Sequence, residues 1–313
     1  MGKGRGIILC CCVLLFIMSL NLGCSRKEGL EQAEGELIED DLGRQVLITA
    51  VPERIVSLSP ATTENLFALG LGPRVVAGTE YDDYPPEALD LPKIGDYSNP
   101  NLEVVVSLEP DLVLADLIIH QKTIEDLERL GIPTLAFGPN TIEGVYNTLG
   151  WMGRAAGVPD EAEKLVADMQ REVEALTAPL AELVEEDKPT VYYEIWHEPL
   201  ITVGPNTFIN DLLTLAGGRN IAADAQKDWP QYSLEVLVEA DPQVIIRPRL
   251  THGETDADVE DFQARRGWEN ISAVRERRIY FVEDDHISRA GPRLVKGLEE
   301  LVGILHPDLY PSH

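Results

Sequence analysis

At 313 residues the chain is long enough for two hydrophobic cores rather than one. Its formal net charge of -28, from 54 acidic against 26 basic residues, excludes a nucleic-acid binder and any bare electrostatic hold on an anionic membrane. An acidic surface of this kind suits a soluble domain whose partner presents Arg or Lys.

At the N-terminus, Lys3 and Arg5 precede the apolar run IILCCCVLLFIMSLNLG, which ends at Gly23-Cys24. A charged n-region, an h-region and a small residue before the cut predict a signal peptide over residues 1–23. An uncleaved transmembrane anchor is the competing reading, and the run is slightly short for a stable span. The stretch LNLGC resembles the lipobox of bacterial lipoproteins, with Asn21 where an aliphatic residue is usual. That resemblance implies a lipid on Cys24 as the first mature residue. Cys10, Cys11 and Cys12 then leave with the signal, so neither a disulfide scaffold nor a cysteine metal site is expected. Residues 24–42 are polar and acidic and are expected to form a flexible tether.

After the tether, RQVLITA and RIVSLSP have the β-branched content of strands, and ATTENLFALGLG that of a helix stopped by glycine. VVAGTEYDDYPP reads as a strand entering a proline-rich loop. LEVVVSLEPDLVLAD then reads as a short helix and a buried strand, and IEDLERLGIPTLAF as helix, glycine stop and strand. In the second half TVYYEIW predicts a strand, TFINDLLTLAGG a helix, RRIYFVED a strand and GPRLVKGLEELVGIL a closing helix. Alternation of this kind builds parallel sheets covered by helices. Between the halves, PDEAEKLVADMQREVEALTAPLAELVEED predicts a long helix with Asp160 as N-cap and an interruption at Pro179. The expected fold is α/β: two Rossmann-like lobes with parallel sheets, residues 43–157 and 188–313, joined by one long rigid α-helix within residues 158–187. A helix is a strut, so only small relative motion of the lobes is expected.

One phrase is written twice: LEVVVSLEPDLVLA from Leu102 and LEVLVEADPQVIIR from Leu234. The copies lie far outside the roughly 20–50-residue period of a solenoid. Chance likeness of two βα units is one explanation; a duplicated two-lobe plan is the better one. Asn101 and Ser233 are good N-caps, which places Glu103 and Glu235 in the first turn of each helix, where an acid complements the helix dipole.

Ligands bind α/β lobes outside the carboxyl ends of the strands. The loops there offer Ser59, Pro60, Ala61, Tyr81, Tyr84, Tyr97 and Asp116 in the first half, and Trp196, His197, Ile201, Trp229, Asp285, His286 and Arg289 in the second. Aromatic platforms with few polar tips suit a large, flat, partly apolar ligand. His120, His197 and His286 each follow a predicted strand, but no HxH or HExxH spacing supports a metal cage, and no metal site is assigned. Arg247 and Arg249 are candidates to pair with the carboxylates of an anionic ligand. Trp151 and Trp268 read as core residues. No GxSxG elbow, phosphate-cradling loop or HExxH is present, so no catalytic residue is assigned and no enzyme is expected.

Five segments in order, PERIVSLSPATTENLFALG, YDDYPPEA, NLEVVVSLEPDLVLA, WPQYSLEVLVEADPQVII and DDHISRAGPRL, resemble the substrate-binding proteins of ABC importers that serve cobalamin, ferric siderophores and haem. The resemblance covers roughly residues 44–310. It implies an extracytoplasmic lipoprotein of the cell envelope, expected to be monomeric and without a cofactor of its own. Its partners would be a permease dimer and the ATPase subunits. Glu103 and Glu235 would be the docking pair, since a two-fold receptor needs the same contact from both lobes. The pattern is nearest to cobalamin-binding members of the family. Tyr81, Trp229, Asp285 and Arg289 match residues that line their corrinoid site, and Tyr97 replaces a tryptophan. Asp116 and His286 stand where those members have large aromatics. Cobalamin or another corrinoid is the expected cargo, and a ferric siderophore or haem the alternative.

Overall fold

The structure, a computed structural model, describes residues 35–249 and 259–310. The predicted signal, Cys24 and the start of the predicted tether lie outside the described residues. The end of that tether is folded: β1 (Glu36–Glu39) pairs antiparallel with β2 (Gln45–Ile48). Ile38 is fully buried, and Asp40 accepts from Arg44 and from the Ala136 amide at 3.1 Å, so this hairpin is fastened to the first lobe. A single buried isoleucine and aspartate in an acidic stretch carry too little periodicity to be read as a strand.

The first lobe continues through β3 (Ile55–Ser57), α1 (Pro60–Ala68), β4 (Val75–Ala77), α2 (Leu102–Ser107), β5 (Leu112–Asp116), α3 (Gln121–Arg129) and β6 (Thr134–Phe137). Its four strands are parallel in the order β4-β3-β5-β6. Helices cover both faces, which is why Leu112 to Ala115 are all buried and the strand has no polar alternation. Next come α4 (Ile142–Ala155) and α5 (Pro159–Thr177).

The second lobe contains β7 (Thr190–Tyr193), β8 (Trp196–His197), β9 (Leu200–Ile201), α6 (Phe208–Leu215), β10 (Arg219–Asn220), β11 (Gln231–Tyr232), α7 (Leu234–Ala240) and β12 (Val244–Arg249). It closes with α8 (Val259–Ala264), α9 (Ser272–Arg275), β13 (Ile279–Glu283), α10 (Asp284–Ser288) and α11 (Leu294–Leu305). Its main sheet is again parallel, in the order β10-β7-β12-β13, with a small antiparallel sheet β11-β9-β8 beside it. The two main sheets share one topology, and the repeated phrase forms the same unit in each. α2 leads into β5 and α7 into β12, so both copies supply a central strand.

The strut is shorter than its sequence suggested. Pro159, not Asp160, opens α5, with Val158 at the N-cap and Asp160 in the first turn. Pro179 sits in a 3-10 turn at Ala178–Leu180, just past the helix end. Nor does α5 act alone. Ala162 belongs to the first lobe's core and Met169 to the second's, while α4 contributes Met152 and Ala155 to the first and Val145 and Leu149 to the second. Two helices therefore stitch the lobes together, and the boundary runs through α4. They approach closely because Gly153 has no side chain; a Cβ there would meet the Ala162 Cβ at 2.4 Å. Gly153→Val is expected to destabilise the fold by about 1–3 kcal/mol through overpacking. An unchanged thermal unfolding midpoint would show that this contact is not tight in solution.

Candidate functional site

In both sheets the strand order reverses between the two central strands, β3 and β5 in one lobe, β7 and β12 in the other. Such switch points open crevices at the carboxyl ends of the strands. In the first lobe Ser59 follows β3 and caps α1, accepting from the Thr62 amide at 3.3 Å, while Pro60 fills the first helical position. Asp116 ends β5 across the switch and accepts from the amides of Ile118 and Ile119 at 2.8 and 2.9 Å. His120 is buried beneath it: its Nδ1 accepts from the Asp116 amide at 2.9 Å, and its Nε2 lies 2.5 Å from the Tyr97 carbonyl oxygen. Burial lowers its pKa and favours the neutral ring. It props the rim instead of facing a ligand.

The YDDYPP loop divides its acids. Asp82 turns inward and accepts from Thr63 Oγ1 at 2.6 Å and from the Thr79 amide at 3.0 Å. A Cβ on Gly78 would come within 2.0 Å of Asp82 Oδ2, so glycine is what lets the carboxylate in. Tyr81 is thereby held edge-on to Tyr97, with ring centroids 5.8 Å apart, and its hydroxyl donates to Asp96 at 3.2 Å.

These residues line one wall of a cavity of about 570 Å³: Ser59, Pro60, Ala61, Tyr81, Tyr97 and Asp116, with Ile118 and Ile119. The second lobe supplies the other wall, with Trp229, Asp285 and Arg289 joined by Ile195, Phe208, Asp284 and Ser288. Five sequence candidates fall elsewhere: Tyr84 lines a neighbouring cavity, and Ile201 lies on β9. Trp196 and His197 lie on β8 in the small antiparallel sheet, where Trp196 Nε1 donates to the Glu198 carbonyl at 2.9 Å. His286 turns to Glu300, Nδ1 to Oε1 at 2.6 Å. The three histidines do not converge, and among the described residues no group of His, Cys, Asp and Glu could hold a metal ion.

Two further arrangements had no sequence signal. The C-lobe switch point is closed by an ion pair, the fully buried Glu194 with Arg247 at 2.9 Å, joined by Arg265 at 2.6 Å. Arg247 is thus a structural residue and not a partner for cargo, and the Arg249 guanidinium lies over the Phe281 ring. Beside the cleft, an ion cluster bridges the lobes. Arg289 Nη1 reaches Glu64 Oε1 at 2.7 Å and Asp83 Oδ1 at 2.6 Å, while its Nη2 lies 3.0 Å from Asp285. Arg293 donates from Nε and Nη2 to the two oxygens of Glu64 at 2.7 and 2.6 Å, stacks 4.3 Å from the Tyr84 ring, and lies 3.3 Å from Asp285. Burial opposes the charge of Arg289, but hydrogen bonds to Asp83 and Glu64, with Asp285 nearby, hold its pKa above the usual value. Asn65 Nδ2 adds a bond to the Ala290 carbonyl at 3.1 Å.

Behind this cluster lies a larger cavity of about 810 Å³, lined in part by Phe67, Tyr84, Leu91, Glu172 and Val295. Of these two cavities the smaller is the candidate site, because it lies at the carboxyl ends of the strands and gathers aromatic rings from both lobes. Glu103 and Glu235 are both exposed, each in the first turn of its helix beneath a side-chain cap from Asn101 or Ser233. Each helix runs back along its sheet before a central strand, so both first turns lie at the cleft end of their lobe.

Comparison with known proteins decides the family. Residues 55–286 match the family described as periplasmic binding protein. The chain belongs to that family. It is 35% identical over 278 residues to an uncharacterised ABC transporter substrate-binding lipoprotein of Bacillus subtilis, covering 87% of this chain and 86% of the relative. It is 30% identical over 251 residues to the vitamin B12-binding protein of Vibrio campbellii, covering 80% of this chain and 88% of that one. A solved periplasmic haem-binding protein from Roseiflexus superposes with a TM-score of 0.72 at 28% identity, covering 82% of this chain and 99% of the other. The two-lobe α/β fold and the family resemblance read from the five segments are thereby borne out. The family is one of binding proteins, not enzymes, and it is extracytoplasmic.

Proposed function

We propose that this protein captures a corrinoid, cobalamin in the first instance, in the interlobe cleft and hands it to the permease dimer of an ABC importer. In this reading a lipid on Cys24 holds a monomeric protein at the outer side of the cell membrane, and Glu103 and Glu235 dock on the permease. The observation that carries the cargo is the lining of the cleft: Tyr81 and Tyr97 from one lobe and Trp229 and Phe208 from the other line one cavity, with aliphatic residues between. Broad apolar walls suit a macrocycle better than a sugar or an amino acid, which would require more converging polar groups. The vitamin B12-binding relative supports the same reading. The structural likeness to a haem-binding protein favours haem, or a ferric siderophore, as the second reading.

Titrating the protein's tryptophan fluorescence with cyanocobalamin, a ferric hydroxamate and haem separates these cargoes. Saturable quenching at micromolar or lower cyanocobalamin is the expected result; saturation by haem or the hydroxamate alone would overturn the corrinoid assignment. Trp229, about half exposed at the cleft, is the expected platform. Trp229→Ala should weaken binding by about 1–3 kcal/mol, roughly fivefold to 150-fold. An unchanged dissociation constant by calorimetry would remove it from the site.

A further inference from the structure

The charged residues that line the cleft are Asp116, Asp284, Asp285 and Arg289 among the described residues. Its cation is already engaged, since three carboxylates lie within 3.0 Å of the Arg289 guanidinium. Glu64, which does not line the cleft, is central to this arrangement. It is almost fully buried, and its two oxygens hold both Arg289 and Arg293. An arginine in a ligand cleft ordinarily recognises a carboxylate with its paired donors; here those donors face the protein's own acids. Among the described residues, Glu64, Asp83 and Asp285 are set against Arg289 and Arg293, three carboxylates to two guanidiniums, and Asp116 lines the facing wall.

We propose that Glu64 sets the charge selectivity of the cleft: by tying up Arg289 and Arg293 it leaves a negative lining that admits uncharged or cationic cargo and rejects cargo that presents carboxylates. This rests on reading the cavity as the cargo site. Glu64 is a positioning residue, acting through Arg289, and its role differs from plain support of the fold because removal of its charge should change which ligands bind and not merely how tightly.

The test compares cyanocobalamin with its monocarboxylic acid, in which one side-chain amide is hydrolysed, on full-length wild-type, Glu64→Gln and Glu64→Asp proteins. The wild type should prefer the neutral ligand. Glu64→Gln should shift the ratio of the two affinities toward the acid by about tenfold, and Glu64→Asp, which keeps the charge, should restore it. Equal loss of both affinities would overturn the proposal. Asp83→Asn removes a less buried carboxylate from the same guanidinium and should shift the ratio in the same direction if Glu64→Gln fails to fold.

A second readout needs no cargo. In a Trp196→Phe background the exposed tryptophan is Trp229 in the cleft, and its quenching by iodide relative to acrylamide reports the local potential. That ratio should rise about twofold in Glu64→Gln and return in Glu64→Asp; an unmoved ratio sinks the idea. If the quenching ratio moves but no corrinoid binds, the cargo reading fails and the charge assignment stands. If cyanocobalamin binds and neither ratio moves, the reverse holds.

Discussion

Cells carrying Glu103→Ala together with Glu235→Ala are expected to lose cargo uptake, while the purified double variant keeps its cargo affinity and its melting temperature. The two acids sit at equivalent places in the repeated helix-strand unit, both exposed and both in a first turn. Removing each withdraws about 0.3–1 kcal/mol of favourable interaction with the helix dipole. The caps survive, because Asn101 Oδ1 still accepts from the Glu103 and Val104 amides and Ser233 Oγ from the Val236 amide. Stability therefore changes little. Docking is another matter: truncating one partner of a hydrogen-bonded charge pair at an interface costs 2–5 kcal/mol, so losing two such pairs weakens the complex by roughly a thousandfold or more. Single variants should fall between, and equally, if the receptor is two-fold. Transport of labelled cargo and calorimetry on the purified protein check the two halves separately. Retained uptake, or a cargo affinity that drops alongside it, would remove these glutamates from the docking role.

The elements of both lobes were legible because each leaves a local mark. Asn101 and Ser233 cap the repeated helices as their spacing predicted, and Gly131 and Gly217 take positive φ angles at the helix ends where glycine stops were expected. Residues at strand ends were legible in part, since a strand tells where its loop begins but not which way that loop turns. β8 folds back into a hairpin with β9, carrying Trp196 and His197 to the small sheet. The residues after β13 form a helix, α10, so neighbours diverge by about 100°. Asp285 and Arg289, four apart, share the face toward the cleft, and His286 between them turns to Glu300. Least legible were the ion clusters. Glu64 meets Arg289 and Arg293 across more than two hundred residues of sequence, in a chain with acids everywhere, and no spacing marks such a pair.

The same reasoning gives Glu194→Ala the largest expected effect on stability. Glu194 is fully buried at the end of β7, with Arg247 Nη1 at 2.9 Å and Arg265 Nη1 at 2.6 Å. Arg265 is held further by Phe262 and Trp268, whose ring centroids lie 3.9 and 4.6 Å from its guanidinium carbon. Deleting the carboxylate leaves the buried Arg247 and the part-buried Arg265 without their shared anion, at a cost of about 3–5 kcal/mol. For a protein of this size that corresponds to a melting temperature lower by roughly 5–9 °C. The damage should also reach function, because the next residue, Ile195, lines the cleft. Glu194→Leu combined with Arg247→Met removes the two most buried charges at similar volume and leaves Arg265 partly exposed and stacked on Phe262 and Trp268, so it should recover part of the loss, since a buried ion pair is often no more stabilising than the apolar side chains that replace it. A double-mutant cycle measured by thermal melting decides the matter. If Glu194→Ala melts within a degree or two of the wild type, or if the paired variant is no better than the single one, the C-lobe switch point is not held by this ion pair.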